Sequence, residues 1–262
     1  MSVPLVSFTG LSHRQNCLLS SFVEPISQTA PPLPGRQILQ QFWADLVFLH
    51  WRVDAADVRP LLPEGIEPDV FDGSCWVGLI PFRMLDSAFF GGPAIPYFGS
   101  FVEINVRLYG VDRSGKRGVV FASLEASRLA AVLAAQTVFR LPYYWASSRL
   151  NRVDDLFHYS SRRFSLRAPS IDVVVKATNK AVVDDPLADF LTARWRLFVA
   201  KGHRVFAQDN HHLPWPLFEA ELLELDDGLF DAVGLAGITT RAPDSVLYSP
   251  GVLTTFSGAR EI

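Results

Sequence analysis

The segment Phe101-Val102-Glu103-Ile104-Asn105-Val106-Arg107-Leu108-Tyr109 alternates apolar and polar residues without a break over its middle. A period of two belongs to an extended strand, in which successive side chains point to opposite faces. Val102, Ile104, Val106 and Leu108 therefore share one face, and Glu103, Asn105 and Arg107 share the other. The chain then turns at Asp112-Arg113-Ser114-Gly115 and returns through Gly118–Glu125, which predicts a hairpin. Two fates are open to the polar stripe. In an ordinary antiparallel sheet it faces water. In a closed barrel with helices outside, the apolar face packs under the helices and the polar face lines the lumen. A carboxylate and a guanidinium held there must be paired or hydrogen-bonded, because isolated burial costs several kcal/mol.

The remaining elements follow the same kind of pattern. Trp43–Val53 reads as a strand, and Asp54 as the N-cap of a short helix closed by Pro63-Glu64-Gly65. Asp72-Gly73 marks a hairpin between Ile66–Phe71 and Cys75–Phe82. Ser127–Phe139, rich in Ala and Leu without Gly or Pro, is expected to be the main helix. Further strands are expected at Phe157–Leu166, Ile171–Ala177, Phe218–Leu225 and Val246–Thr255. A hairpin is expected from Arg194–Val199 and His203–Gln208, with short helices at Pro186–Leu191 and near Leu229–Leu235. Many strands and few helices at this spacing predict an α+β fold, mainly antiparallel β: a barrel or sandwich with one main helix and short helices packed outside. Residues 1–35 are rich in Ser, Pro and Gln and end in Thr29-Ala30-Pro31-Pro32-Leu33-Pro34-Gly35, so they read as a flexible N-terminal segment before a single domain at 36–262.

Composition removes several function classes. With 49% hydrophobic and 19% charged residues the chain can bury a full core, which excludes disorder for its bulk. A net charge of −3 gives no general attraction to nucleic acid. No apolar run approaches the ~20 residues of a membrane span. A secretory leader is not evident, so the expected setting is cytoplasmic. Two cysteines, Cys17 and Cys75, provide no disulfide framework. Neither His-Glu-x-x-His nor Cys-x-x-Cys occurs, and adjacent His211 and His212 point to opposite faces of an extended chain, so no metal is expected. Gly-rich phosphate loops are absent too, and no cofactor is expected. Only four lysines occur, Lys116, Lys176, Lys180 and Lys201, and none sits in the apolar or cationic setting that activates a Schiff-base lysine. A second stripe, Phe48, His50 and Arg52, lies on one face of the first strand.

Trp43-x-Asp45-Leu46-x-Phe48-Leu49-His50-Trp51, Leu61-Leu62-Pro63-x-Gly65 and Phe71-Asp72-Gly73-x-x-Trp76-Val77-Gly78-x-x-Pro81-Phe82 together resemble the YqjF-like family of mostly bacterial proteins. Glu103-x-Asn105-x-Arg107, Leu141-Pro142-Tyr143, Pro214-Trp215-Pro216-Leu217 and Ser249-Pro250-Gly251-Val252 extend the resemblance over roughly 38–256. That family is similar in fold to acetoacetate decarboxylases, whose antiparallel barrel surrounds a buried pocket, so the resemblance implies that Glu103 faces a lumen. By motif position, Trp51-Arg52-Val53-Asp54 looks like the Arg strand of those enzymes and Phe101-Val102-Glu103 like their Glu strand. Leu141-Pro142-Tyr143-Tyr144 stands where they carry Pro-Lys-Lys, with tyrosine in place of the nucleophilic lysine. A phenol cannot form an imine, so imine-based decarboxylation is not expected.

The polar stripes offer Glu103 and His50 as catalytic candidates and Arg52, Asn105 and Arg107 as substrate-binding candidates, and the resemblance adds Tyr143 to the catalytic set. Three readings follow: an enzyme of lyase type doing acid–base chemistry on a small carbonyl or carboxylate compound, a small-molecule-binding protein, and a polar network that only fixes the fold. The expected partner is a small molecule, not nucleic acid or membrane, and a homo-oligomer is compatible with each reading.

Overall fold

A computed structural model of the chain describes residues 23–96, 99–128 and 142–262. Among the described residues, β1 (Gln37–Val53), β3 (Cys75–Phe89), β4 (Phe101–Asp112) and β5 (Arg117–Ala126) form the wall that carries the polar stripe. β6 (Tyr143–Val153), β7 (Leu156–Arg163), β8 (Ser170–Ala181), β11 (Phe218–Asp227) and β12 (Ser245–Ser257) continue the sheet. β9 (Arg196–Lys201) and β10 (Arg204–His211) form a further hairpin, with short β2 (Ile66–Pro68) and β13 (Arg260–Glu261) at the edges. Three short helices are described: α1 (Ala55–Val58), α2 (Pro186–Thr192) and α3 (Leu229–Ala232).

The strands are mostly antiparallel, as the alternation required; β5–β6 and β5–β9 are parallel. From β5 the pairing passes through β6, β7, β8, β11, β12, β1, β3 and β4, and β4 pairs back to β5. β10 makes a cross-connection to β12. The largest apolar cluster joins Val47, Leu49, Trp51, Ile104, Val106 and Leu108 to Phe157, Val173 and Phe230, so the apolar face of the Phe101–Tyr109 strand is buried in the main core. Cys75 lies within this cluster, where burial pushes its thiol up to about 11. Among the described residues no helix is long and apolar enough to cross a membrane.

Local signals were legible with some displacement. Asp72 and Gly73 take φ of 50° and 75° beneath the Phe71–Ser74 bridge, the turn that Asp-Gly favours. The strand expected over Ile66–Phe71 is shorter, and β2 pairs with β4 rather than with β3. Pro68 lies opposite Gly110, and beyond it the Asp69 N–H still donates to the Tyr109 carbonyl. Asp54 stands at the N-cap of α1 without a side-chain capping bond, whereas Asp185 caps α2 by accepting from Leu187 and Ala188. β6 was not anticipated from its polar sequence. The expected helix at Ser127–Phe139 lies, apart from 127–128, outside the described residues. Within the N-terminal segment, Glu24 binds the Arg117 backbone and Lys116, and the Ser27 carbonyl accepts from Trp195.

One irregularity sets the geometry of the cavity wall. At Asp45, φ is 54°, and the β1–β3 register advances by one residue on β1 between Ala44 and Leu49. Such a bulge changes which side chains face inward. Above it Trp43 lies opposite Met84, and below it His50 lies opposite Gly78. Odd-numbered Trp43 and even-numbered Leu46 consequently line the same cavity. Gly251 of β12 lies opposite Ala44 with φ 128°, and a Cβ there would collide with the Trp43 carbonyl oxygen. Gly251→Ala is expected to cost about 3 kcal/mol or more in urea denaturation, because strain and backbone collision act together. Gly202→Ala meets no neighbour within 4 Å and is expected to cost about 1 kcal/mol, from its positive φ alone.

Candidate functional site

A cavity of about 300 Å³ lies against the polar face of β4. Its rungs follow from register: Phe101 opposite Met84, Glu103 opposite Phe82, Asn105 opposite Ile80 and Arg107 opposite Gly78. The absence of a side chain at Gly78 leaves room for the His50 imidazole, since a Cβ there would lie 2.9 Å from His50 Nε2. Phe82, Phe101, Phe121, Trp43, Trp215 and Phe256 supply most of the remaining wall.

Glu103 is 2% exposed, and Tyr143 donates a hydrogen bond of 2.7 Å to its Oε2. Desolvation raises the Glu103 carboxyl to about 7, against the pull of hydrogen bonds from Tyr143 and Asn105 that favour the charged form. The Tyr143 hydroxyl is held well above its usual value, by burial first and then by the adjacent carboxylate. Asn105 Oδ1 is buried without a hydrogen-bond partner.

The far end of the cavity is cationic. Arg107 Nε and Nη2 are buried without hydrogen-bond partners, and its guanidinium lies over the rings of Phe48 and Tyr109. Arg194, on the same cavity, binds Asp69 through Nη1 at 2.6 Å and the Phe190 carbonyl through Nε, while Nη2 is unsatisfied. Asp69 is also paired with Arg117, so the arginines outnumber the carboxylate beside them. Neither Glu103 nor Arg107 belongs to an ion pair described within 4.0 Å, although they share a strand face.

Of the candidates, Glu103, Tyr143, Asn105 and Arg107 line this cavity together. His50 is fully buried behind it, not on its lining. Tyr109 donates to the Leu191 carbonyl and so must accept from His50 Nε2, at 2.6 Å. Burial, helped by Arg107 and Arg194, keeps the His50 imidazole neutral by lowering its pKa well below the usual value. Arg52 is set apart from the others. Its strand partner is Trp76, one pleat beyond Gly78, and it stacks on that ring while bonding Asp72 and Ser74. The fully buried Trp76 and the nearly buried Tyr109 stand one rung beyond Gly78 and Arg107 on that side.

Several lining residues escaped the sequence reading. Gln208, Asn210 and His212 alternate along β10 and just beyond it, and all three face the cavity. That period-two stripe was present in the sequence, but the strand was expected to stop at Gln208. His212 Nδ1 donates to the Leu213 carbonyl at 2.6 Å, which leaves Nε2 with its lone pair. Desolvation lowers this imidazole to about 4, so it is neutral at physiological pH. Among the described residues no group of three or more His, Cys, Asp or Glu side chains is placed to hold a metal ion.

The profile of DUF2071, described as an uncharacterized conserved protein, matches residues 40–253. The uncharacterized protein YqjF of Bacillus subtilis (strain 168) is 33% identical over 216 residues, covering 82% of this chain and 88% of its own. Among solved structures, the chain is similar to acetoacetate decarboxylase from Legionella pneumophila, with a TM-score of 0.65 at 12% identity over 99% of this chain and 98% of that one. It is also similar to the enduracididine biosynthesis enzyme MppR complexed with pyruvate, with a TM-score of 0.59 at 18% identity over 88% and 91% of the two chains. These likenesses show an acetoacetate decarboxylase-like fold.

The raised Glu103 carboxyl has a consequence for stability. Its folded value of about 7 exceeds the ordinary 4.5, so the folded state holds its proton more tightly than the unfolded chain between those values. Stability is therefore lost as pH rises from about 4.5 through 7, by roughly 3 kcal/mol in total. Glu103→Gln removes this loss. Relative to the unmodified protein, the variant is expected to gain about 3 kcal/mol between pH 4 and pH 8 in urea denaturation; parallel stability curves would refute the assignment.

Proposed function

Because this chain belongs to the DUF2071 family of uncharacterized conserved proteins and has an acetoacetate decarboxylase-like fold, we propose that its circuit of strands is a barrel of that type, enclosing a small-molecule site. The chemistry we assign to it is acid–base work on a small carbonyl or carboxylate compound, without an imine. The observation that carries this reading is the Glu103–Tyr143 hydrogen bond in a cavity that also holds Arg107, whose Nε and Nη2 are buried without hydrogen-bond partners. A carboxyl near 7 is half ionised at neutral pH and can both take and return a proton. Arg107 supplies a donor edge for the anionic end of the compound, where a guanidinium fork matches a carboxylate.

The step runs as follows. Ionised Glu103 removes a proton from carbon next to the carbonyl; the C–H electron pair forms the C=C bond and the carbonyl π pair moves to oxygen, giving an enolate. Return of the proton from Glu103 restores the compound. Tyr143 stays protonated throughout and donates its hydrogen bond to the carboxylate. The four lysines support the absence of imine chemistry. Lys116, Lys176 and Lys180 are half-exposed or more, beside Glu24, Asp155 and Glu219, while Lys201 lies over the Phe206 ring. None lines the cavity. The pyruvate in MppR is compatible with a carbonyl acid in this fold.

The test is hydrogen–deuterium exchange at carbon in 2-oxo acids, followed by proton NMR in D2O. The protein is expected to accelerate exchange, and Glu103→Gln to lose about 100-fold or more of that acceleration. Borohydride treatment with the same acids is expected to leave no lysine adduct by mass spectrometry. Binding without exchange would make the site a binding site only, and an adduct on any lysine would overturn the chemistry.

A further inference from the structure

The cavity has two ends of different character. At the closed end stand Arg107 and the Arg194 Nη2 edge, backed by fully buried His50 and Trp76 and by nearly buried Tyr109. At the other end the lining passes through Phe101, Met84 and Trp43 to Leu39, Phe89 and Ile95, where Phe89 is 39% and Ile95 38% exposed. The mouth is thus mainly apolar, with Gln41 and Ser87 among its rings, and the floor cationic. Between them lie Asn105 and Glu103, one and two rungs above Arg107.

Length follows from strand geometry. Four residues of strand separate the Arg107 and Glu103 Cα atoms by roughly 13 Å, and Phe101 stands one rung further out. The two side chains leave the same face and make no ion pair. A ligand with its acid on the floor must therefore extend past Asn105 and Glu103 before it leaves the ring-lined half. Pyruvate is too short to do so. A cavity of about 300 Å³ also matches a larger molecule. Aromatic walls favour a flat body, since Trp43 and Trp215 are stacked at 6.0 Å, with Phe82 and Phe256 rings 5.9 and 5.8 Å from Trp43.

We infer that the cavity takes an elongated aryl carboxylate, with its acid group on Arg107 at the floor and its ring against the Trp43, Phe82 and Phe256 cluster toward the mouth. This rests on the small-molecule reading of the same site and names the class of compound. Unpaired guanidinium nitrogens in a closed, water-poor floor gain a charge-assisted partner only from an anion that reaches them. The apolar body meanwhile lies against the aromatic lining.

Isothermal titration of the full chain tests the assignment with 4-phenylbutyrate, its neutral amide and pyruvate as probes. The acid is expected to bind at least about tenfold more tightly than either the amide or pyruvate. Arg107→Met is expected to abolish the preference for acid over amide, and Phe89→Ala, at the exposed mouth, to weaken 4-phenylbutyrate. The acid–amide comparison on the unmodified protein keeps the test decisive if Arg107→Met does not fold. Equal affinity for acid and amide, or no saturable binding of 4-phenylbutyrate, would overturn the inference. Pyruvate binding as tightly as 4-phenylbutyrate would also overturn it, while leaving the proposed acid–base site intact. Failure of all three probes to bind would count against both.

Discussion

Asp45 occupies a left-handed backbone conformation in the middle of the longest strand, and its nearly buried carboxylate draws Arg83 and Arg152 onto it. Tyr159 donates to its carbonyl oxygen at 2.6 Å. These bonds hold a bulge that strand pairing alone would not maintain. An aspartate tolerates the positive φ better than most residues, because its short polar side chain can bond locally. Without the extra residue on β1, Trp43 would face away from the side occupied by Phe48 and His50. Trp43 of the aromatic wall and His50, buried behind the floor, therefore face the same side of β1 only because that strand changes parity partway along.

The second constraint is electrostatic. β4 places a carboxyl and a guanidinium on one buried face without letting them pair. Each is then governed by its own surroundings. Glu103, with Tyr143 and Asn105 as donors and no ion pair among the described residues, is pushed up by desolvation. Arg107 lies among rings, and Arg194 on the same cavity shares its ion-pair partner Asp69 with Arg117. His50 and His212, both within the influence of Arg107, are driven toward the neutral form by burial. The result is a cavity that is proton-active near neutral pH at Glu103 and cationic at its floor.

Much of this was legible in the alternation of residues. The Phe101–Tyr109 pattern separated the core face from the site face, and Asp72-Gly73 and Asp112–Gly115 fixed two turns because their φ preferences are local. The motifs around Trp43–Trp51, Phe71–Phe82 and Glu103–Arg107 carried a family resemblance that the whole-chain comparisons bear out. Less legible was Arg52. Sequence alternation placed it with Phe48 and His50, but the Trp76–Tyr109 layer, contributed by two other strands, stands between it and the cavity. His212 and Asn210 were missed because a stripe is informative only when the strand's end is known, and strand ends depend on partners distant in sequence.

The sequence by itself determined the strand-rich class, the two-faced character of β4, the turns, and a supply of arginines with few lysines. Those properties depend on period-two geometry, local φ/ψ preference and composition, which act within a few residues. Only the tertiary structure decided that Glu103 would face an enclosed cavity rather than water, that Tyr143 would reach it, and that Arg107 would go unpaired while Arg52 was taken by Asp72. These outcomes depend on register across β1, β3 and β4, and on the bulge at Asp45. Register is settled by contacts between segments far apart in the chain, where a slip of one residue exchanges every inward side chain for an outward one.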